Sequence, residues 1–346
     1  MLPERLQTDI AGVMEAIAEG RDLNAYLTSC IAHIKSLPAA TIIRAAEEIR
    51  IAGRMYLRPA AEQGGMRWFQ FARKTTRDVE LAALKKHPLL SRLFVFHGDG
   101  RVREAALKSW NEPPDSPFEF IALTYRLNDW VEQVRAAAHE SAGRHFPNTR
   151  ADIIAQASFF LLVYIEHLGR WGEQERKILD AALYRGDVMQ PLAQHLTQRP
   201  SGRVAKVFQQ ALRRPGLDHE LPRLAHQAAL PHVRAIALET LVMKRARWTV
   251  GYEYEWIDKH FGLKRRVPLF DHRPVDHELD IETLLAEGAK DTAVAVRKVV
   301  TRGLIDLRHE LSPAMEPVAR MLLKDKSATV RSRAEFYLKH LTGSKQ

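Results

Sequence analysis

Carboxylate and imidazole side chains are concentrated in one short segment of the sequence, where they could bind a divalent metal ion. The segment contains Asp271, His272, Asp276, His277 and Asp280. Its two Asp-His pairs are separated by five residues, and this spacing matches neither a single helical face nor a zinc motif. We therefore interpret the cluster as part of a solvated loop, with a metal site there as the open alternative.

Other catalytic patterns are not found in the sequence. It contains no HExxH, no GxSxG, no phosphate-binding P-loop and no paired CxxC motif. The Gly98-Asp99-Gly100 stretch fits a turn between two helices better than a phosphate-binding loop. His139 and His145 are interpreted as surface residues near a helix end. The sequence therefore indicates no catalytic residue and no cofactor, and it favours a binding protein over an enzyme.

The segment of residues 245–280 differs from the rest of the chain because aromatic and cationic side chains are interleaved in it. Aromatic rings can stack on nucleic-acid bases and cations can contact phosphates. We predict that this segment contacts a partner; the open alternative is that its aromatic side chains fold back and seal a groove. The predicted partner-binding residues are Arg245, Arg247, Trp248, Tyr252, Tyr254, Trp256, Lys264, Arg265, Arg266, Phe270 and Arg273.

The secondary structure of this segment has two interpretations. Every second residue from Trp248 to Trp256 is apolar or aromatic, as in a strand, but Trp248, Tyr252 and Trp256 also share one helical face. Gly251 argues against a long helix. For the following stretch KRRVPLFDHRPVDH, which contains two prolines, the sequence predicts an extended loop.

The elements that must position these residues follow an internal repeat. Three stretches begin at Asp129 (DWVEQVRAAAHE), Asp291 (DTAVAVRKVVTR) and Asp325 (DKSATVRSRAEF), and each places Val and Arg five and six residues after the Asp. An Asp at a helix start can accept hydrogen bonds from free backbone N–H groups. The Arg can reach this Asp or the Asp of the next unit. We therefore predict a ladder of Asp-Arg pairs that joins successive units.

Each repeated stretch also predicts a helix with a buried stripe of residues spaced by four. The five stripes are Val102, Ala106 and Trp110; Val134, Ala138 and Ala142; Val233, Ala237 and Leu241; Val296, Val300 and Leu304; and Val330, Ala334 and Leu338. Val102 and Val134 are 32 residues apart, Val134 and Val233 are 99 apart, and Val296 and Val330 are 34 apart, which gives a period of about 33. A second amphipathic segment precedes each repeated stretch, so each unit is predicted to be a helical hairpin that stacks on its neighbours.

With this period and with Asp six residues before Arg, the chain from about residue 80 to residue 340 resembles HEAT repeats. Two units depart from the pattern, because Asp99 is only four residues before Arg103 and a Pro-His turn precedes Arg234. The resemblance implies an all-α fold, an α-solenoid of stacked helical hairpins wound as a right-handed superhelix.

The repeat also predicts the organisation of the chain. Val233 and Val296 are 63 residues apart, about 30 more than one period, which indicates an insertion. We expect a cap of degenerate repeats at residues 1–85, HEAT-like repeats at 86–244, the basic and aromatic insertion at 245–280, and further HEAT-like repeats at 281–346.

Composition limits the environment and the partners. The chain has 346 residues and a formal net charge of +10, which permits binding to polyanions and disfavours basic partners. The one cysteine, Cys30, and an N-terminal stretch without an apolar signal core favour the cytoplasm. The longest apolar run, SFFLLVYI at residues 158–165, is too short to span a membrane, so we expect a soluble protein.

These observations favour a non-enzymatic scaffold that binds a macromolecular partner, most simply a protein, through its concave surface and the insertion. The alternative is a nucleic-acid-binding protein, which includes an enzyme similar to the HEAT-like alkylpurine DNA glycosylases. Those enzymes use Trp, an acidic residue and Arg on a concave surface. Asp129, Trp130 and Trp171 are loosely similar to this set but do not match a motif residue by residue.

Overall fold

The computed structural model describes residues 2–56, 75–164 and 168–343. The structure is 67% helical, with 18 α-helices and one two-stranded sheet in the described residues. The chain divides into two compact units, Met1–Val188 and Met189–Gln346. The predicted predominance of helix is confirmed, whereas the sheet departs from a purely α fold. Residues 57–74 of the predicted cap, and Ile165 of the apolar run, lie outside the described residues.

The elements follow one another as helices, except for one pair of strands in the second unit. The first unit contains α1 (Glu4–Glu19), α2 (Asn24–Lys35), α3 (Ile42–Ala52), α4 (Thr76–Lys86), α5 (Ser91–Phe94), α6 (Gly100–Ser109), α7 (Pro117–Arg126), α8 (Glu132–His145), α9 (Ala151–Tyr164) and α10 (Glu173–Leu183). Next come α11 (Gly186–Gln198), α12 (Val204–Ala211), α13 (Leu221–Gln227), α14 (Pro231–Val242), β1 (Arg245–Asp258), β2 (Leu263–Pro274), α15 (Ile281–Gly288), α16 (Val294–Asp306), α17 (Glu316–Leu322) and α18 (Ala328–Gly343).

Helices of neighbouring hairpins pack side by side within each unit. In the first unit α8 packs against α6 and α10, and α7 packs against α9. In the second unit α16 packs against α14 and α18, while α13, α15 and α17 each pack on the helix that follows. The predicted stripes form these interfaces: all their residues are buried except the half-buried Leu338. Burial of each large aliphatic side chain contributes roughly 1.5–3 kcal/mol, so the stripes account for much of the packing.

The predicted Asp-Arg pairs form at three places in the described residues, and each joins two successive helical hairpins. Arg103 donates to both carboxylate oxygens of Asp129, at 3.0 and 2.8 Å. Arg234 binds Asp291 in the same bidentate manner, at 2.7 and 3.0 Å. The guanidinium of Arg297 likewise binds Asp325. In each case the Arg of one helical hairpin therefore pairs with the Asp of the following hairpin within the same compact unit.

Each of these arginines also donates a hydrogen bond to the backbone of the loop that precedes its own helix. Nη1 donates to the carbonyl oxygen of the residue six positions earlier, which is His97 for Arg103, Ala228 for Arg234 and Asp291 for Arg297. The carboxylates in turn accept backbone N–H bonds at the start of the next helix, from Val131 to Asp129, from Ala293 to Asp291 and from Ser327 to Asp325. Arg234 keeps this role although its own unit has Ala instead of Asp, because the carbonyl that it binds belongs to the backbone.

His145 corrects the interpretation of this residue as a surface histidine. Its side chain is buried at the end of α8, and its Nε2 lies 2.8 Å from the carbonyl oxygen of Trp110. Burial lowers the pKa of His145, although the hydrogen bond to Trp110 acts in the opposite direction. The neutral imidazole therefore donates to the carbonyl group and ties α8 to the end of α6.

Replacement of Asp325 with Asn tests the ladder through its pH dependence. The hydrogen bond from Arg297 lowers the pKa of Asp325 from 3.8, with burial opposing it. A depressed folded-state pKa stabilises the fold above the unfolded-state pKa, and this contribution disappears as the pH falls through 3.8 and then through the lower folded-state pKa. We expect Asp325→Asn to lower the free energy of unfolding by at least about 1 kcal/mol at neutral pH, and by less below about pH 4.

Urea denaturation at the two pH values measures this difference. The exposed Asp306, which pairs with Arg302 within one helix, provides the control. Asp306→Asn should change the free energy of unfolding by less than about 0.5 kcal/mol, because surface pairs contribute little. Equal stabilities of Asp325→Asn and the parent at neutral pH would show that the ladder does not stabilise the fold.

Replacement of Ala138 with Leu tests the close approach of the stacked helices. The side chains of Ala138 and Ala334 are fully buried in α8 and α18, so a larger side chain overpacks either contact. We expect Ala138→Leu and Ala334→Leu each to cost roughly 1–3 kcal/mol in thermal or chemical unfolding. The matched control is Ala136→Leu, since Ala136 is exposed on the same helix as Ala138 and should tolerate the change.

Candidate partner-binding hairpin

The predicted insertion is a long β-hairpin. β1 and β2 pair antiparallel from Arg245↔Pro274 to Asp258↔Leu263. The 30 residues from Arg245 to Pro274 account for the extra length between the repeat units. Of the two interpretations of β1, the strand is the one that the structure shows. At the turn, Asp258 accepts hydrogen bonds from the N–H groups of His260 and Phe261, and Gly262 has a φ of 66°, which favours glycine.

The predicted extended loop after β1 was wrong, because residues 263–274 form the paired strand β2. Pro268 lies within this strand, opposite Tyr252. In a two-stranded ribbon each strand is an edge, so a proline without an N–H group can face away from the partner strand without breaking a ladder bond. The two prolines therefore did not prevent strand pairing.

The base of the hairpin is anchored in the second unit. Ala246, Trp248 and Val275 are buried, and β1 packs against α12 and α14. Arg273 donates to the carbonyl oxygens of residues 212 and 214 and forms a bidentate ion pair with Asp218. Trp248 and Arg273, both predicted to bind a partner, thus contribute to this structural base.

A β-bulge separates the base from the rest of the hairpin. Thr249 pairs with Phe270 and Gly251 pairs with Leu269, so Val250 is the extra residue. Successive side chains of a strand point to opposite faces, and one extra residue therefore reverses the alternation of β1. Trp248 lies on one face and Tyr252 on the other, although the sequence pattern places them on the same face. Gly251, a glycine inside a strand pattern, is the sequence signal that could have located the bulge.

The strand register places most of the predicted partner-binding residues on one face of the hairpin and all acidic residues of the strands on the other. Residues opposite each other in the ladder share a face, so Tyr254 lies with Arg266, and Trp256 with Lys264. We call this side the cationic-aromatic face; its members among the predicted partner-binding residues are Arg245, Arg247, Tyr252, Tyr254, Trp256, Lys264, Arg266 and Phe270. The opposite face carries Trp248, Glu253, Glu255, Asp258, Arg265, Asp271 and Arg273. All acidic residues of the two strands are thus on the opposite face.

Cations lie over aromatic rings along the cationic-aromatic face. Nζ of Lys264 is 3.9 Å from the ring centroid of Trp256, and the guanidinium carbon of Arg266 is 3.7 Å from that of Tyr252. Tyr252, Tyr254 and Trp256 are 52%, 67% and 47% exposed. Each exposed cation–π pair contributes roughly 0.5–1 kcal/mol, so a ligand can displace the cation from the ring at modest cost. Of the four aromatic residues predicted in β1, only Trp248 is buried.

Two arginines of the hairpin have carboxylate partners. Arg265 forms an ion pair with Glu255 across the strands, at 2.6 Å, on the opposite face. Arg247 lies over the ring of Phe270 and also pairs with Glu239 of α14. Lys264 and Arg266 make no ion pair within the described residues. Their charges are therefore not neutralised by a neighbouring carboxylate of the described chain.

The Asp-His cluster is dispersed by the strand and the loop after it. Asp271 and His272 belong to β2, so the predicted solvated loop begins only after Pro274. His277 donates from Nε2 to the carbonyl oxygen of Leu241, and the carboxylate of Asp280 accepts the N–H of Thr283 at the start of α15. In residues 2–56, 75–164 and 168–343, no group of three or more His, Cys, Asp or Glu side chains could hold a metal ion.

The residues with a loose likeness to DNA glycosylases occupy different environments in the first unit. Asp129 is buried and bound to Arg103 and Arg126. Trp130 is 67% exposed, whereas Trp171 is buried. Asp129 therefore functions in the ladder.

Comparison with known proteins gives no family assignment. The chain matches no protein-family model, no curated protein and no solved structure. None of the helices in the described part of the chain is long and apolar enough to cross a membrane. A functional assignment therefore depends on the chemistry of the hairpin.

Two tryptophans of the same strand test the division between base and exposed hairpin. Trp248→Ala should cost about 3 kcal/mol or more, because it leaves a cavity in the buried base. Trp256→Ala should change the free energy of unfolding by less than about 0.5 kcal/mol, since its ring is exposed. Urea denaturation of both variants gives the comparison. A large loss of stability in Trp256→Ala would show that the exposed hairpin is part of the core.

Proposed function

We propose that the protein binds single-stranded nucleic acid through the cationic-aromatic face of the β-hairpin. The observation that carries this proposal is the absence of acidic strand residues from the cationic-aromatic face: this face has four cations and four aromatic rings, and the acidic residues of the strands lie on the other side. Phosphates would be repelled by carboxylates and attracted by lysine and arginine. The protein's net charge of +10 adds attraction at longer range.

The aromatic rings favour a single strand over a duplex. Unpaired bases present flat faces that stack on exposed aromatic side chains, and each stacking contact contributes roughly 1–3 kcal/mol. The face extends about 35 Å from Arg245 to Trp256 at ~3.3 Å per residue, which provides room for several nucleotides. Tyr252, Tyr254 and Trp256 supply the stacking surfaces, and Lys264 and Arg266 supply the cations beside them.

The scaffold in this proposal is a set of HEAT-like repeats arranged as an α-solenoid. Support comes from the Arg-to-Asp bonds between successive units and from the side-by-side packing of α14, α16 and α18. The β-hairpin connects α14 to α15 and α16, the next pair of helices in the second unit. Because a repeat unit packs mainly on its neighbours, a long insertion at this position leaves the helical packing intact.

A protein partner is the second candidate, and the tip of the hairpin favours it. Ile257, Phe261 and Leu263 are 65%, 75% and 54% exposed. An exposed apolar cluster of this kind is typical of a protein-binding surface. In this alternative the tip inserts into an apolar groove of the partner and the cationic residues contact acidic groups around it.

Two adjacent arginines on opposite faces provide a matched test of nucleic-acid binding. Arg266→Gln removes one cation from the cationic-aromatic face, and Arg265→Gln removes one from the opposite face. We expect Arg266→Gln to weaken binding of a short oligothymidylate several-fold and to reduce the slope of log K against log salt by about 0.7, the value for one lost phosphate contact with a single strand. Arg265→Gln should change the affinity less than about twofold. Fluorescence anisotropy at several salt concentrations measures both quantities.

Charge reversal and removal of the tip distinguish the two candidate partners. The double variant Lys264→Glu/Arg266→Glu should weaken oligothymidylate binding at least about tenfold, with circular dichroism unchanged. Binding that is equally strong in both arginine variants and in the parent, or tighter to duplex DNA than to the single strand, would refute the proposed site. The second candidate would be supported if the parent protein binds no oligothymidylate and if Phe261→Ser abolishes its binding to a purified protein partner.

A further inference from the structure

The first unit contains a cleft of about 410 Å³ whose lining is dominated by arginine and aromatic side chains. Its residues come from the end of α3 and the segment after it, from α6 and the turn before it, from the end of α7, from the segment leading into α8, and from the segment before α10. The volume lies within the range of pockets that hold a small organic ligand. The cleft is formed by residues of the first unit only, and the hairpin belongs to the second, so the two sites share no residue.

Only one carboxylate lines the cleft among its described residues, and its bonding capacity is used. Asp129 accepts from Arg103 at 3.0 and 2.8 Å, from Arg126 at 2.7 Å and from the N–H of Val131 at 3.1 Å. Arg103 also binds the backbone, because its Nη1 donates to the carbonyl oxygens of residues 97 and 98. Two guanidinium groups therefore share a single carboxylate, which leaves a positive charge in a buried position.

Arg126 has hydrogen-bonding capacity that the described residues do not use. Its side chain is 5% exposed, and the buried Nε has no hydrogen-bond partner in the described part of the chain. Its one ion pair runs from Nη1 to Asp129. A buried donor without an acceptor costs roughly 1–3 kcal/mol. Because Arg126 also lines the cleft, an anionic ligand there would offset the positive charge that Asp129 does not balance.

Two further arginines increase the positive charge of the cleft. The side chains of Arg50 and Arg170 line it, and neither forms a hydrogen bond or an ion pair within the described residues. The backbone N–H of Arg170 donates to Oδ1 of Asn128 at 2.9 Å, which holds this segment at the cleft. Burial lowers the pKa of Arg126 to about 10; Asp129 opposes the shift, and the positive charges of Arg103 and Arg50 add to it. Four arginines and one carboxylate therefore give the cleft an excess of positive charge.

The same cleft presents flat apolar surfaces beside these cations. Trp130, 67% exposed, and Tyr56, 52% exposed, line it together with Tyr125. The guanidinium carbon of Arg126 lies 4.8 Å from the ring centroid of Tyr125. Aromatic side chains of this kind stack on planar ligands.

We propose that this cleft binds a nucleotide, with its phosphate held by Arg126, Arg50 and Arg170 and its base stacked on the aromatic lining. A phosphate offers several acceptor oxygens to guanidinium groups, and a base offers the planar surface that Trp130 can cover. The nucleotide is either free in solution or part of a strand, and the two sources share this chemistry. Asp129 has a positioning role here, because it orients Arg103 and Arg126.

Calorimetric titration of the full chain with AMP, adenosine, inorganic phosphate and a 5′-phosphorylated dithymidine dinucleotide tests the proposal. We expect saturable binding of AMP or of the dinucleotide, and binding of adenosine that is weaker than that of AMP by at least about tenfold, because adenosine lacks the charged acceptor. Tighter binding of AMP would identify the free nucleotide as the ligand, and tighter binding of the dinucleotide would identify a strand. Failure of both to bind overturns the proposal.

Charge-matched variants locate the binding. Arg170→Glu and Arg50→Glu should each weaken nucleotide binding at least about tenfold, and Trp130→Ala should weaken AMP binding more than phosphate binding. Arg101→Glu is the control, since Arg101 is exposed on α6 and does not line the cleft. The hairpin variant Lys264→Glu/Arg266→Glu should bind AMP as the parent does, which separates this proposal from that for the hairpin. Equal affinities of Arg170→Glu, Arg50→Glu and Arg101→Glu for the nucleotide overturn the cleft assignment.

Discussion

The bond from an arginine of one helix to the aspartate before a later helix is the interaction on which the helical scaffold depends, and it forms at three places in the described residues. The guanidinium of Arg234, for example, binds a backbone carbonyl of its own loop and the carboxylate of Asp291. That carboxylate accepts an N–H group at the start of the next helix. The start of one helix and the position of its neighbour are therefore fixed together. Because desolvation offsets much of the attraction in a buried ion pair, the geometry that the pair imposes is as important as its net free energy. At Arg103 and Asp129, where both side chains are almost fully buried, loss of either partner leaves an uncompensated charge.

The repeated Asp-Arg phrase and the stripes of apolar residues were predictable from the sequence because both depend on regular spacing. The ladder, the burial of Val134 and Val296, and the length of the insertion all follow from a period of about 33 residues. Arg234 shows the limit of this reasoning, because its own stretch lacks the Asp and its Nη1 nevertheless donates to the backbone carbonyl of residue 228, as Arg103 and Arg297 do six residues before themselves. The sequence does not show which backbone carbonyl group accepts a hydrogen bond from a side chain.

The features that the sequence did not predict arise from pairing and from long-range contacts. Prolines were interpreted as loop residues, but Pro268 lies in a ribbon that has an open edge on each side. His145 contacts the carbonyl group of a residue 35 positions away, and no local pattern marks such a contact. The second guanidinium at Asp129 was missed for a similar reason: Arg126 is three residues earlier, outside the repeated phrase. Residues at a cleft come from separate helices, and their proximity appears only in the fold.

The bulge at Val250 makes the orientation of the exposed hairpin depend on whether residues are gained or lost in even or odd numbers. Addition of two residues to each strand beyond Gly251 lengthens the ribbon and keeps every ring on its original side. Addition of a single residue to β1 before Tyr252 instead moves Tyr252, Tyr254 and Trp256 to the side of Arg265, and moves Glu253 and Glu255 to the side of Lys264 and Arg266. In proteins that descend from this chain, paired insertions can thus change the length of the hairpin without changing which residues lie on each of its two faces.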